Sequence, residues 1–138
     1  MSNTPDIEQS NACTKLNYSF AFWFSSHNGN KTKQADEYEN LLSHIKSFNT
    51  VEEFWGIYQH MRRPESLQKG TELFLFKDSI RPLWEDKANS GGGKLVLHFP
   101  KNYSNRTWED ILVNLLLLDE THNKVNGCVI NIKDYYVL

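Results

Sequence analysis

Apolar residues recur along the chain with two different periods, and this pattern predicts both strands and helices. Residues 18–24 (YSFAFWF) are rich in aromatic side chains and are followed by a polar loop, which is typical of a strand. Residues 72–76, 94–99 and 127–132 contain similar short apolar or alternating runs, so we expect strands there as well. The glycine-rich stretch 89–93 is expected to be a turn or a flexible loop, and we interpret it as the hairpin connection between the strands at 72–76 and 94–99.

Two segments have the spacing of a helix. The clearer one covers residues 50–61, where Thr50 and Glu53 form a capping box that satisfies backbone donors at the helix start. Its apolar positions recur every three or four residues and are Val51, Phe54, Tyr58 and Met61. Pro64 is expected to prevent its continuation. A second helix is predicted over residues 105–118, with one face made of Trp108, Ile111, Leu112, Leu115 and Leu116.

Residues 36–48 are compatible with two structures. Their apolar positions follow helical spacing, but a short strand would also fit. At the end of the chain, residues 136–138 resemble the start of a further strand. Because strands and helices are mixed without a regular βαβ alternation, and no internal repeat is present, we predict an antiparallel α+β fold.

The chain is expected to contain a single domain. Residues 1–17 are polar and show no periodicity, so we interpret them as a flexible N-terminal tail. Residues 18–138 then form the domain, since a chain of this length suits one hydrophobic core. The sequence ends on the apolar residues Val137 and Leu138, whereas domains more often end in a polar tail. We therefore expect the domain to be incomplete at its C-terminus.

Composition and charge narrow the class of protein. The sequence is 39% hydrophobic and 23% charged, as in a soluble globular domain. Its longest apolar run, residues 115–118, is too short to cross a bilayer, and no secretory signal pattern is present, so we expect a cytoplasmic protein without a membrane segment. Cys13 and Cys128 are then expected to be unpaired thiols. A net charge of −2 argues against a long basic RNA-binding face, so any nucleic-acid site should be small.

Sequence motifs for catalysis or metal binding are missing. The five histidines and two cysteines lack the spacings of metal ligands, and no nucleophile elbow, zinc-protease or phosphate-loop motif occurs. We therefore expect neither an enzyme nor a protein that needs a metal or another cofactor. The acidic pair Glu85-Asp86 and the scattered histidines leave a nucleotide hydrolase as an alternative.

The segment 81–86 (RPLWED) carries the most informative chemistry. Trp84 offers a flat aromatic face, and Glu85 directly after it offers two acceptor oxygens. Guanine presents two neighbouring donors, N1–H and the N2 amino group, and one carboxylate can accept both. Methylation at N7 makes the base cationic, which adds about 0.5–2 kcal/mol of cation–π attraction to a stacking energy of about 1–3 kcal/mol. The alternative is that Trp84 is an ordinary structural residue.

Longer motifs around this segment indicate a family. Residues 47–58 (SFNTVEEFWGIY) and 75–86 (LFKDSIRPLWED), followed by 89–94 (NSGGGK), closely resemble eukaryotic translation initiation factor 4E, which binds the cap of messenger RNA. The similarity extends in one order from about residue 18 to residue 133, and it is greater to the 4E-homologous protein branch than to the branch with two stacking tryptophans. The resemblance implies a strongly curved antiparallel β-sheet with helices on its convex face and a cap slot on its concave face.

The resemblance implies five residues for the cap slot. Trp84 corresponds to one stacking ring of the family, and Glu85 corresponds to the carboxylate that reads guanine. Tyr38 stands in the place of the second ring, where other branches have Trp; its smaller face implies weaker cap affinity, and an ordinary exposed tyrosine is the alternative. Lys94 and Lys133 stand where the family has basic residues against the cap phosphates, although Lys lacks the bidentate fork of Arg.

A second surface is implied on the convex side. Val51 and Trp55 lie four residues apart on the predicted helix and share a stripe, although Trp55 could instead complete the core. The resemblance makes them a platform for a partner helix with a YxxxxLΦ motif. It also adds Glu109, Asp110 and Val113 of the second predicted helix. Glu109 replaces an apolar residue of the branch with two stacking tryptophans, which indicates a different choice of partner.

Taken together, the resemblance predicts a monomeric cytoplasmic protein that binds the 7-methylguanosine cap of messenger RNA and takes part in translation initiation or its repression. Its partners would be capped messenger RNA and scaffold or repressor proteins. The family's domain continues beyond this sequence, and missing edge strands would expose unpaired backbone. The alternative function is a protein-interaction module that keeps the convex partner surface and has little or no cap binding.

Overall fold

The computed structural model describes residues 13–26, 41–119 and 124–133. The strands in these ranges are β1 (Lys15–Ser26), β2 (Leu42–Thr50), β3 (Thr71–Lys77) and β4 (Gly127–Asn131). The α-helices are α1 (Val51–Tyr58) and α2 (Ser104–Leu116), and two short 3-10 helices span Pro64–Ser66 and Lys101–Tyr103.

The four strands form one antiparallel sheet in the order β2-β1-β3-β4. β1 lies between β2 and β3, so that Phe22 has Lys46 on one side and Leu75 on the other. β4 pairs with the other edge of β3 and places Ile130 opposite Leu73. This curved antiparallel sheet with helices packed against it confirms the predicted α+β class.

The hydrophobic core lies between one face of the sheet and the two α-helices. Alternate strand residues point into it, as expected for period-two elements with one covered face. The core residues of the sheet side are Phe20, Phe22, Phe48, Leu73, Leu75, Ile130 and Ile132, and those of the helices are Phe54, Tyr58, Trp108, Leu112, Leu115 and Leu116. The helices therefore cover one face of the sheet, and a functional site on the opposite face would not compete with the core.

The predicted capping interaction at the start of α1 is confirmed with one difference. The Oγ1 atom of Thr50 accepts a hydrogen bond from the backbone N–H of Glu53 at 3.1 Å. The same hydroxyl donates to Oε1 of Glu53 at 2.9 Å, so the Glu53 side chain engages the Thr50 hydroxyl. The α-helix ends at Tyr58, three residues earlier than predicted, and Gln59 and His60 continue it only as a turn.

The predicted strand over residues 94–99 is wrong. These residues have no regular secondary structure, and the side chain of Leu95 is 89% exposed. Their short apolar run is typical of a strand, but a strand also needs a neighbour, and no described strand pairs with them. The hairpin over 89–93 is wrong for the same reason, although residues 89–91 do form a turn in which Gly91 has a φ of 75°.

The boundary of the predicted tail is also corrected. β1 begins at Lys15, three residues before the predicted domain start. Leu16 packs against the core, and the Thr14 carbonyl accepts a hydrogen bond from the N–H of Val51 at 2.9 Å, which attaches this end of β1 to α1. Residues 1–12 lie outside the described residues, as do residues 136–138.

The open question over residues 36–48 is answered from Leu42 onward, where the chain is a strand.

Both cysteines are free thiols, as predicted. Cys13 is exposed, whereas burial raises the pKa of the Cys128 thiol to about 12. Since the thiolate is the reactive form, Cys128 stays protonated and unreactive at neutral pH.

Gly127 provides a test of the packing between β3 and β4. A Cβ atom at this position would overlap the carbonyl oxygen of Leu75 and the ring of Phe76. Gly127→Ala should lower the free energy of unfolding by about 1–3 kcal/mol, because the ring or the strand must shift. Gly56→Ala in α1 is the matched control, since its Cβ would meet nothing within 4 Å. It should raise stability by up to about 1 kcal/mol.

Urea denaturation of the two variants and the wild type measures both effects. A Gly127→Ala midpoint equal to that of the wild type would show that β4 does not lie as close to Phe76 as described.

Candidate functional site

The loop that follows β3, residues 78–93, carries Trp84 and Glu85. Ile80 and Leu83 are buried and attach the first half of the loop to the body of the protein. Trp84, directly after Leu83, is 63% exposed, and Glu85 is exposed as well. Exposure of a large aromatic side chain beside a buried one indicates that the loop holds Trp84 outward.

The carboxylate of Asp86 closes the first part of this loop. It accepts hydrogen bonds from the backbone N–H groups of Arg81 and Ala88, both at 2.9 Å. These bonds favour the charged form and hold the pKa of Asp86 below its ordinary value of 3.8. Because the folded-state pKa is lowered, the Asp86 carboxylate contributes to the stability of the folded protein at neutral pH. This stabilisation is lost as the pH falls through that pKa.

Two asparagines close the rest of the loop. The side-chain amide of Asn89 donates to the carbonyl groups of Arg81 at 2.9 Å and Leu83 at 2.7 Å. The side chain of Asn126, next to β4, donates to the Ala88 carbonyl at 2.9 Å and to Oδ1 of Asn89 at 3.0 Å. The loop is thus bound to itself and to the start of β4.

Sequence reasoning did not identify Asp86, Asn89 and Asn126 as supporting residues. A local signal existed for two of them, because Asp and Asn side chains commonly bond to backbone groups of a turn. Asn126 lies 37 residues from Asn89, so only the folded chain shows that it belongs to the same network.

The structure brings together two of the five predicted slot residues. Trp84 and Glu85 are adjacent, and Glu85 has no hydrogen bond or ion pair within the described ranges, so its carboxylate is available to a ligand. Lys94 is exposed in the segment without regular structure. Lys133 is exposed just after β4, on the face opposite to Ile132 by alternation. Tyr38 lies outside the described residues, and its stacking role stays a prediction.

An apolar groove lies on the helix side of the molecule. It has a volume of about 70 Å³ and is lined by Leu16, Val51, Phe54, Trp55, Val113, Leu116 and Leu117. Three of these, Val51, Trp55 and Val113, were predicted as partner-binding residues. Trp55 is 42% exposed, so part of its ring is free although it also touches Phe54. Leu16 and Leu117 were not predicted, since each becomes part of the groove only when β1 and α2 meet.

Glu109 and Asp110, the other two predicted partner residues, line a separate polar cleft. This cleft has a volume of about 480 Å³ and also contains Arg63, Asn105 and Arg106. Tyr58 donates from its hydroxyl to Oε2 of Glu109 at 3.2 Å, and the Arg63 guanidinium lies 3.9 Å from the centre of the Tyr58 ring. Burial, together with the Glu109 charge, raises the pKa of Tyr58 to about 12. The phenol therefore stays protonated and can keep donating to Glu109.

Neither a metal site nor a membrane-spanning helix occurs among the described residues. In the described part of the chain, no three or more His, Cys, Asp or Glu side chains are grouped so that they could hold a metal ion. Across the same residues, neither helix is long and apolar enough to cross a membrane.

An exposed Trp-Glu pair on a hydrogen-bonded loop and an apolar surface beside α1 are the features that the sequence resemblance implied. Over residues 15–137 the chain matches the family described as Eukaryotic initiation factor 4E. The chain belongs to this family. It is 40% identical over 120 residues to the Arabidopsis thaliana initiation factor NCBP, covering 86% of this chain and 53% of that protein.

A further relative and the solved structures that resemble this chain are also initiation factors of the 4E type. Initiation factor 4E-1 of Prunus domestica is 37% identical over 122 residues, covering 86% of this chain and 52% of that protein. This chain thus spans about half the length of the curated relatives it matches. A complex of C. elegans eIF4E-3 with the 4E-binding protein Mextli and a cap analog superposes with a TM-score of 0.78 at 28% identity, covering 88% of this chain and 68% of that one.

The Ascaris suum eIF4E-3 complex with the m7G cap has a TM-score of 0.76 at 27% identity, with the same coverage of 88% and 68%. These scores confirm the cap-binding fold predicted from the sequence.

The hydrogen bonds of Asp86 allow a test of the loop. In Asp86→Ala, hydrogen exchange at the amides of Arg81 and Ala88 should become about tenfold faster, because each amide loses a charge-assisted bond. In the wild type, an NMR titration of the Asp86 carboxyl should give a pKa below 3.8, and protection of both amides should fall as the pH drops through it.

Asp110→Ala, an exposed aspartate on α2, is the matched control and should leave both amides unchanged. Unchanged exchange in Asp86→Ala would show that the carboxylate does not hold the loop.

Proposed function

We propose that this chain binds the 7-methylguanosine cap of messenger RNA through Trp84 and Glu85. One observation carries the proposal: the loop after β3 presents a 63% exposed tryptophan next to a carboxylate without an intramolecular partner in the described residues. Exposing a large ring costs solvation free energy unless a ligand covers it. The bonds of Asp86, Asn89 and Asn126 keep the pair in place before the ligand arrives, which reduces the ordering cost of binding.

The chemistry of the pair fits a methylated guanine. Glu85 accepts hydrogen bonds from the N1–H and the N2 amino group of guanine. Adenine lacks this pair of donors and cannot form both bonds. Trp84 stacks on the base, and the positive charge from N7 methylation strengthens the stack by cation–π attraction. We place Tyr38 on the opposite side of the base and Lys94 and Lys133 at the cap phosphates. A site of this kind is small and local, in agreement with a net charge of −2.

The solved relatives support this proposal, since the Ascaris suum structures are complexes with the m7G cap and the m2,2,7G cap. The likeness in fold, with a TM-score of 0.76, supports the proposal. We propose that binding makes no covalent change, needs no cofactor, and serves translation initiation or its repression. We also propose that the chain acts as a monomer in the cytoplasm, where capped messenger RNA is translated.

For the apolar groove we propose a helical partner with a YxxxxLΦ motif. Val51 and Trp55 on α1 and Val113 on α2 supply an apolar strip, and amphipathic helices bind such grooves with residues spaced three or four apart. One C. elegans relative is solved with the 4E-binding protein Mextli, which supports a protein partner at this family's surface. Glu109 and Asp110, in the neighbouring polar cleft, would meet the polar flank of that helix.

The first test of cap binding is a fluorescence titration with 7-methylguanosine triphosphate. The wild type should bind it more tightly than unmethylated GTP, by roughly 2- to 30-fold if cation–π attraction is the main difference. Glu85→Ala should weaken binding roughly 100-fold, since it removes two charge-assisted hydrogen bonds, and should cost more than Lys94→Ala or Lys133→Ala.

Glu65→Ala is the matched control, because this glutamate bonds to Asn105 on the helix side and should not affect nucleotide affinity. A folded wild-type protein that binds neither nucleotide would refute the proposed function.

The groove is tested with a synthetic YxxxxLΦ peptide. Trp55→Ala should weaken peptide binding by about 30-fold, because a half-exposed tryptophan in an apolar groove is a typical interface hot spot. Trp84→Ala removes the same side chain from the other surface and should leave peptide affinity unchanged. Calorimetric titration measures both, and equal peptide affinity of the wild type and Trp55→Ala would contradict the assignment of the groove.

A further inference from the structure

A hydrogen bond joins two parts of the sheet that are not neighbours. Ser47 on β2 donates from Oγ to Oδ1 of Asp78 at 2.6 Å, and Asp78 directly follows β3. β1 lies between those strands. Adjacent strands are about 4.8 Å apart, so the backbones of β2 and β3 are separated by about 10 Å. The two side chains therefore meet across the full width of β1.

The bond lies on the face of the sheet opposite to the helices. Ser47 pairs directly with Ala21, and directly paired residues share a face. Ala21 stands between Phe20 and Phe22, which both point into the core, so it points away from the core. Its side chain is only a methyl group and is fully buried, which leaves room above β1 for Ser47 and Asp78 to meet.

Curvature is what brings the two side chains into contact. On the concave face of a curved sheet, side chains of non-adjacent strands converge, whereas on a flat sheet they would remain about two strand spacings apart. A bond of 2.6 Å to a carboxylate is short and charge-assisted, so it favours the curved form.

His44 extends the contact along β2. Its Nε2 atom lies 2.9 Å from Oγ of Ser47. Since the Ser47 proton is directed at Asp78, His44 must donate from Nε2. The His44 ring also packs edge-on against Trp23 of β1, with ring centres 4.9 Å apart. We call His44, Ser47 and Asp78 the cross-sheet relay.

The relay ends at the root of the loop that carries Trp84. The N–H of Asp78 donates to the Ser19 carbonyl at 2.9 Å, so both the backbone and the side chain of Asp78 are fixed. The other end of the relay is on β2, which starts four residues after Tyr38 in the sequence.

We propose that the cross-sheet relay holds the start of the loop that carries Trp84 and Glu85 in the position that cap binding needs, with Ser47 as a positioning residue that does not touch the ligand. This inference rests on the proposed cap binding. Without the Ser47 hydroxyl, the sheet can flatten locally and the root of the loop can move. Trp84 and Glu85 then meet the methylated base less well, while the groove on the opposite face keeps its shape.

Three variants test the relay. Ser47→Ala removes the hydroxyl, Ser47→Thr keeps it and suits a strand, and Ser43→Ala removes an exposed serine of the same strand as the matched control. Two quantities are measured: affinity for 7-methylguanosine triphosphate, and hydrogen exchange at the amides of Asp78 and Ile80. Ser47→Ala should weaken cap affinity about fivefold and speed up exchange at both amides, whereas the other two variants should match the wild type in both.

The outcomes separate the relay from the proposed function. Unchanged exchange in Ser47→Ala overturns the relay, whatever the cap affinity, and so does faster exchange with unchanged cap affinity. If the wild type binds no cap, the proposed function fails, and exchange alone decides whether Ser47 holds the root of the loop. If Ser43→Ala speeds up exchange as much as Ser47→Ala does, the relay is also overturned, because the effect would then not be specific to Ser47.

Discussion

The hydrogen bonds of Asp86, Asn89 and Asn126 keep the loop after β3 in one shape, and the exposure of Trp84 depends on that shape. A free loop would turn a large aromatic side chain inward, because burial of apolar surface is favourable. Here Leu83 is buried and Trp84 is held out beside Glu85. Binding a flat ligand then covers the ring without reorganising the loop, so the interaction energy is not lost to ordering.

The sheet separates two surfaces. Its helix side holds the core and the apolar groove around Trp55, and its open side holds the root of the loop with Trp84. Because Phe20 and Phe22 point to one side and Ala21 to the other, a single strand supports both surfaces. The proposed cap and the proposed helical partner would therefore occupy different faces of the sheet and would not compete for the same surface.

Local sequence patterns were enough to predict the helices and strands that depend on residues close together in the sequence. The Thr50 hydroxyl and the residues that follow it were enough to predict the start of α1, a short apolar run was enough for β3, and alternation was enough for β4. Residues 94–99 show the limit of such patterns, since their short apolar run favours a strand but the pairing that defines a strand involves distant residues. The same limit applies to the site. Trp84 and Glu85 are adjacent in sequence and could be predicted, whereas Asn126 and Ser47 come close to the loop after β3 only in the folded chain. Leu16 and Leu117 join the groove for the same reason.

The most direct test of cap recognition is an NMR titration of nitrogen-labelled protein with 7-methylguanosine diphosphate, in which the indole signals of all four tryptophans are followed. The largest shift should be that of the Trp84 indole, with smaller changes at the Glu85 and Asp86 amides and none at Trp55. Shifts confined to Trp55, or no shift at Trp84 at saturating nucleotide, would contradict a cap site on the loop after β3.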